Sequence, residues 1–198
     1  MPAYEDPSGS DSTSRSVARL KDGAEPRFEI RTCTTEDDAA LSLLGQATFL
    51  EAFAGTLNGP DILAHCASAH AASVYRAWLA DERYRIWIAL AQPGLAPVGF
   101  AVLAPSDLPV PDSAPDEVEV KRIYLLNRFQ GSGLGRRLMT LAIDHARALG
   151  ARRLLLGVYS ENRAAIAFYH RLGFETIGHR PFTVGATVCD DYVMSLQL

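Results

Sequence analysis

Cysteine is scarce in this 198-residue chain: Cys33, Cys66 and Cys189 are three in number and widely spaced. An odd, scattered set builds no disulfide framework, so a reducing compartment such as the cytoplasm is the expectation. Lysine is scarcer still, with only Lys21 and Lys121. Positive charge is not in excess, since 19 Lys and Arg face 23 Asp and Glu for a net charge of -4. That balance gives no general pull toward nucleic acid or an anionic membrane. Nor does any apolar run reach the ~18 residues needed to span a bilayer. The opening MPAYEDPSGSDSTSRS carries acids and no apolar stretch, unlike a secretory signal. With 48% hydrophobic residues over this length, what remains is a globular protein with one well-cored domain and a tail.

Residues 1–26 are rich in Ser, Asp, Gly and Pro without periodicity, and a mobile tail is expected there, with one domain over 27–198. Phe28–Arg31 alternates as a first strand. Thr34 and Thr35 ahead of Glu36, Asp37 and Asp38 predict a helix start, running to about Ala54 with Gly55 as its stop. A turn at Asn58–Asp61 precedes helical patterns over about 61–70 and 71–81. Arg83–Ala91 and Val98–Leu103 read as strands joined at Pro93-Gly94, and the proline-rich 104–116 as an irregular connection. An apolar, β-branched strand then enters a glycine-spaced turn and an amphipathic helix that ends near Gly150. Arg153–Val158 reads as a buried strand and Ser160 as the cap of a helix from about Glu161 to Leu172. Phe174–His179 is a strand, and Phe182–Leu198 a hairpin about Gly185. The order β, α, α, α, β, β, β, α, β, α, β, β, without internal repeats, predicts a mixed sheet with helices on both faces.

The densest pattern is Val118–Met139, VEVKRIYLLNRFQGSGLGRRLM. A strand feeding a glycine turn and a helix N-terminus makes a site for a phosphorylated ligand. Gly131, Gly133 and Gly135 let the backbone approach an anion and aim N–H groups at it, and the helix dipole adds partial positive charge. Two common solutions fail. A P-loop needs Lys-Ser or Lys-Thr after its glycines, and none follows here. A dinucleotide fingerprint needs G-x-G-x-x-G, but its last position falls on Arg136 or Leu138. An ordinary tight strand-to-helix turn is the plain alternative.

What fits is Gln-x-x-Gly-x-Gly, as Gln130-Gly131-Ser132-Gly133-Leu134-Gly135, after Glu119-x-Lys121-Arg122-Ile123-Tyr124-Leu125. This resembles the acyl-CoA loop of the GNAT superfamily of N-acetyltransferases. The resemblance implies an α/β GNAT fold: a central mixed, mostly antiparallel, six- to seven-stranded twisted sheet with helices on both faces. It implies acetyl-CoA as cosubstrate and no metal. The pyrophosphate would take the N–H groups of Gly131, Ser132, Gly133, Leu134, Gly135 and Arg136, beside Gln130. Arg136 and Arg137 would add charge, although a solvated helix face accounts for at least one of the two. The pantetheine arm is a chain of amides. It would pair with the backbone of Ile123, Tyr124 and Leu125 if that edge is splayed, and an N–H near Leu125 would polarise the thioester.

Leu156–Phe174, LGVYSENRAAIAFYHRLGF, resembles the strand, helix and turn that complete such a site. Residues 165, 168, 169 and 172 form an apolar helical stripe, with Asn162 on about the same face as Tyr169. Asn162 is either a cofactor contact or a residue supporting the helix cap. Tyr169 is either a core tyrosine or, as the resemblance favours, a cofactor contact and the general acid that protonates the departing thiolate. The nucleophile must be a neutral amine, yet an alkylamine is protonated near neutral pH, so a carboxylate must take its proton. Glu119 is the candidate base and Glu117 the runner-up. The plain reading of Glu119 is a partly buried ion pair with Lys121 or Arg122. Its side chain alternates with those of 118, 120, 122 and 124, unless a bulge alters the parity.

Phe49–Ala54, two further helices, Tyr84–Ala89, Phe182-x-x-Gly185 and Asp191–Met194 narrow the resemblance to the bacterial PaiA-type subgroup, associated with acetylating polyamines such as spermidine and spermine. Leu126-Asn127 and His170-Arg171 depart from the family's frequent residues without removing the chemistry. His65, Cys66 and His70 do not suit a metal, since histidines five residues apart face each other poorly on a helix and no carboxylate completes the set. His145 falls on the apolar side of its helix as a packing residue. The expected protein is a cytoplasmic N-acetyltransferase moving an acetyl group directly to a primary amine through a tetrahedral intermediate. No acyl-enzyme is expected, because the cysteines lie outside the motifs. Peptide or protein N-termini and antibiotic amines are alternative acceptors, and a non-catalytic acyl-CoA-binding regulator is the alternative class. Acetyl-CoA and a small amine are the expected partners, nucleic acid and membrane are not, and a homodimer is left open.

Overall fold

The computed structural model describes residues 27–110 and 116–198. The tail expected over 1–26 and part of the proline-rich connection lie outside the described residues. Seven strands form one sheet in the order β1-β2-β3-β4-β5-β7-β6. They are β1 (Phe28–Thr32), β2 (Arg85–Ala91), β3 (Ala96–Pro105), β4 (Glu117–Leu125), β5 (Arg153–Tyr159), β6 (Glu175–Val184) and β7 (Thr187–Gln197). Every neighbouring pair is antiparallel except β4 and β5. Helices α1 (Asp38–Phe53), α2 (Gly59–Ala69) and α3 (Ala72–Ala80) precede β2, α4 (Leu134–Ala148) follows β4, and α5 (Arg163–His170) follows β5. This is the element order expected from the sequence.

The chain enters α1 through a capping box, which uses the Thr34 and Asp37 side chains to satisfy N–H groups that a helix start leaves open. Arg31 holds the Asp37 carboxylate with two bonds of 2.8 and 2.7 Å, tying β1 to the turn. β2 is buried on both faces because helices cover both. Ile86, Ile88 and Leu90 pack with Leu41, Leu44, Tyr75 and Phe100 under α1 and α3. Trp87 and Ala89 join Leu138, Met139, Leu154 and Tyr169 on the α4–α5 side. Each fully buried aliphatic or aromatic side chain contributes about 1.5–3 kcal/mol, so these two layers dominate the stability. A smaller cluster of Phe49, Ile62, Cys66 and Val184 ties α1 and α2 to the tip of the β6–β7 hairpin.

Two local expectations change. Ser160 does not cap α5: its N–H continues the sheet by bonding the Asp190 carbonyl (3.0 Å), and the cap passes to Asn162, whose side-chain oxygen accepts the Ala165 N–H at 3.1 Å. The strict alternation along β4 also fails. Against β3, Val102 pairs with Arg122 but Leu103 pairs with Val120, so Lys121 is an extra residue in a bulge. Val118 and Val120 therefore share the α4–α5 face with Ile123 and Leu125. Glu117 and Glu119 share the other face with Arg122 and Tyr124.

Candidate functional site

The site begins where the sheet divides. β4 and β5 are joined by only three residue pairs, Glu117 with Arg153, Val118 with Leu154 and Glu119 with Leu155. β4 then continues along β3 to Leu125, and β5 along β7 to Tyr159. Beyond Glu119 each strand has one edge with no ladder toward the other, and the two edges bound an opening. The Ile123–Leu125 edge is therefore splayed, as the sequence reading required.

The glycine turn lies at the far end of β4. Gln130 folds it onto itself, with its amide donating to the Asn127 side chain at 2.9 Å and the Leu125 carbonyl at 3.4 Å. The Ser132 hydroxyl donates to the Phe129 carbonyl at 2.7 Å. Gly131 and Gly133 both stand at φ +79°, a left-handed conformation that side-chain-bearing residues rarely adopt. The first bond into α4 is from the Arg137 N–H to the Gly133 carbonyl at 3.1 Å, so the N–H groups of Leu134, Gly135 and Arg136 precede the helical ladder. The Leu134 side chain is wholly buried, which leaves only its N–H for a ligand. Arg136 and Arg137 are both exposed. Donors and cations unengaged among the described residues, with open space around both left-handed glycines, fit a phosphate-bearing group.

Asn162 is exposed and its side-chain oxygen serves the α5 cap, which is the structural role weighed for it. Tyr169 is buried with its ring against Phe168 and Phe174. Its hydroxyl has no hydrogen-bond partner among the described residues. Burial raises the phenol's pKa above its ordinary value, and the Tyr124 phenol adds to this. Tyr124 belongs to the opposite face, where it packs with Tyr75 and Phe100.

The two glutamates of β4 part company. Glu119 stands at the vertex of the fork, buried, with its carboxylate 3.3 Å from the Lys121 ammonium and 3.4 Å from the Asp107 N–H. Lys121 also bonds Asp107 at 2.8 Å. Burial pushes Glu119 above the usual carboxylate range, with Lys121 opposing the shift. Its ion-pair partner is thus Lys121 and not Arg122. Arg122 instead donates to the Tyr75 hydroxyl (2.6 Å) and the Ala69 carbonyl (2.7 Å), and lies over the Trp78 ring. Glu117 is held on the closed side of the fork by Arg153 and by Arg152 at 2.7 Å.

Arg180, beside the opening, escaped the sequence reading. Arg180 of β6 reaches across β7 and lies over Gly157 of β5, with Asp191 at 3.4 Å. Phe53 and Tyr159 face each other across the mouth (5.8 Å), and His65 lies between Phe49 (4.3 Å) and Phe182 (5.7 Å). His65 and His70 approach to 5.6 Å, contrary to expectation, because His70 is the C-cap and has left the helical path of α2. Arg122 donates to the Tyr75 oxygen, and His70 Nδ1 is hydrogen-bonded to the same hydroxyl at 2.8 Å. Burial pushes the His70 imidazole down to about 3, which keeps it neutral. Among the described residues no three His, Cys, Asp or Glu side chains group as metal ligands would. His145 packs edge-on against Trp87 at 5.8 Å, as a packing residue would.

The Acetyltransferase (GNAT) family description matches residues 56–174, more than half of the chain. The chain belongs to the GNAT acetyltransferase family. An uncharacterized N-acetyltransferase of Mycobacterium tuberculosis (strain H37Rv) is 37% identical over 101 residues, 51% of this chain and 60% of that protein. The chain thus spans less than two thirds of the length of that relative. The L-methionine sulfoximine/L-methionine sulfone acetyltransferase of Salmonella typhimurium is 39% identical over 59 residues, 30% of this chain and 34% of that one. Among solved structures, the PaiA N-acetyltransferase of Thermoplasma acidophilum, in complex with coenzyme A, has a TM-score of 0.71 at 18% identity, covering 87% of this chain and 99% of that one. The GNAT fold read from the glycine turn is therefore the fold observed, and a PaiA protein shares it. No helix of the GNAT domain, among the described residues, is long and apolar enough to cross a membrane.

Proposed function

We propose that the protein is an acetyl-CoA-dependent N-acetyltransferase acting on a primary amine. The observation that supports it most is the fork itself. β4 and β5 separate directly beyond Glu119, and one opening is bordered by the bare N–H groups of the turn, the free β4 edge, a buried carboxylate and a buried phenol. Acetyl-CoA supplies an activated thioester carbonyl when bound. The turn from Gly131 to Arg136 receives the phosphates, and the free edge at Ile123–Leu125 pairs with the amides of the pantetheine arm. Glu119 accepts a proton from the incoming ammonium, directly or through water, and a carboxylate with a raised pKa suits that exchange. Tyr169 gives its proton to the departing sulfur, and its unpaired hydroxyl is free to do so. Asn162 contributes by holding the start of α5.

The acceptor implied by the PaiA resemblance is a polyamine. The carboxylates of Glu119, Asp107 and Asp191 around the mouth favour an amine of some kind. The free thiols of Cys33, Cys66 and Cys189 fit a cytoplasmic setting. The test is thiol release from acetyl-CoA with a panel of amines, with product masses read by mass spectrometry. Release of one thiol per acetylated amine is expected. Tight coenzyme A binding without transfer to any amine would support the regulator reading instead.

A further inference from the structure

We infer that the acceptor of this site is an amino acid, its carboxylate held by Arg180 while its amine faces Glu119. This rests on the acetyl-transfer reading and narrows its acceptor. The inference starts from a missing side chain. A Cβ at position 157 would stand 2.5 Å from Arg180 Nη2, 2.9 Å from Cζ and 3.0 Å from Nε, so the guanidinium occupies the space that only a glycine leaves. Gly157 lies two residues beyond Leu155, the last β5 residue paired with β4. The cation is therefore placed over the opening of the fork, where an acceptor must enter.

That cation is poorly matched by the protein. Among the described residues its one ion pair, Nη2 to Asp191, is 3.4 Å long, against the 2.7–2.9 Å usual for a charge-assisted bond, and the Asp107 carboxylate adds attraction without a direct bond. Its Nε is buried and has no hydrogen-bond partner among the described residues. The Nε is closed off from solvent against Gly157, so a carboxylate would reach this guanidinium through its Nη groups, in competition with Asp191. The Phe182 ring lies 5.8 Å from Cζ, and Phe53 with Tyr159 supplies apolar surface nearby. An acceptor with positive charges alone would bring like charge to this guanidinium. An amino acid answers both ends of the opening, with its amine at the Glu119 vertex and its acid at Arg180.

The test compares wild type, Arg180→Gln and Arg180→Lys in steady-state acetylation of the proteinogenic L-amino acids, of their amides, and of spermidine. Arg180→Gln is expected to lower the acid-over-amide ratio of kcat/KM by about 10- to 100-fold, mostly through KM for the acid, and Arg180→Lys to restore part of it. A purely structural role, through loss of the Asp191 pair, would depress acid and amide alike, and Asp191→Asn would reproduce it. An unchanged ratio, or spermidine used better than every amino acid, would overturn the inference while leaving acetyl transfer intact. Calorimetric titration of the amino acids into the coenzyme A-saturated protein separates the remaining outcome. Binding that is abolished in Arg180→Gln, without turnover, keeps the carboxylate site and removes the enzyme. No binding of any amino acid overturns the site.

Discussion

Glu117 and Glu119 stand two residues apart on the same face of β4, and each is 3% exposed. Glu117 lies where β4 and β5 are still paired, and two arginines of the β5 side hold it. Glu119 lies at the last pair before the strands separate, and its partner is one lysine that is shared with Asp107. Burial raises the pKa of Glu119, and the opening begins beside it. Sequence proximity, strand face and burial are nearly equal for the two carboxylates. The difference lies in what the neighbouring strand supplies, and it separates a carboxylate that closes the sheet from one able to exchange a proton with a ligand.

Glu117→Ala should break this contrast from the structural side. It removes the buried carboxylate that Arg152 and Arg153 share, and the loss expected for the charged hydrogen bonds broken is about 1.5–3 kcal/mol of stability, read from denaturant unfolding. Glu119→Gln attacks the other side and should lower kcat/KM by about 100- to 1,000-fold. Its effect on stability carries the opposite sign. A carboxyl whose folded pKa is raised favours the fold in its neutral form, and that contribution fades as pH rises through the folded value. At mildly alkaline pH the glutamine variant should therefore melt at the same temperature or higher. The wild-type rate should climb as Glu119 ionises, above the ordinary carboxylate range, and this limb should be missing in the variant.

Tyr169→Phe sharpens the open side of the comparison. The hydroxyl bonds nothing among the described residues, so its removal should spare the fold while lowering kcat by about 10- to 100-fold. An unchanged kcat would remove the general-acid role alone. The smallest effect is expected at Asp37, a carboxylate held on both oxygens by Arg31 and also bonded by the Thr34 N–H. The Arg31 bond holds its pKa below the ordinary value. Its contribution is complete above the usual carboxylate pKa and is lost as pH falls through the lowered folded value. Asp37→Asn should cost about 1–2 kcal/mol at neutral pH, and the difference from wild type should vanish in acid.

Much of this was legible beforehand. Gln130-Gly131-Ser132-Gly133-Leu134-Gly135 announced the turn, because left-handed glycines and a helix start are consequences of adjacent residues. The Thr34 cap and the twelve-element order were legible for the same reason. Asn162 shows the limit of local reading: Ser160 was an equally good cap residue, but the sheet extends through Ser160 by its bond to Asp190, a strand away, and α5 starts only at Arg163. Arg180 and Gly157 carried no signal at all. They lie 23 positions apart on strands that are not neighbours, and only the order β5-β7-β6 brings one over the other.

By itself, then, the sequence determined the succession of strands and helices and a phosphate-seeking turn on α4, since these follow from periodicity and short spacings, and its motifs carried the resemblance to the GNAT family. Tertiary structure decided which side chains share the face of Glu117 and Glu119. One extra residue, Lys121, shifts β4 against β3, and a register shift depends on the partner strand rather than on the strand's own residues. It also decided where β4 leaves β5 and that a half-satisfied arginine stands over the gap. Those outcomes are set by distant strands packed side by side, and no local pattern encodes them.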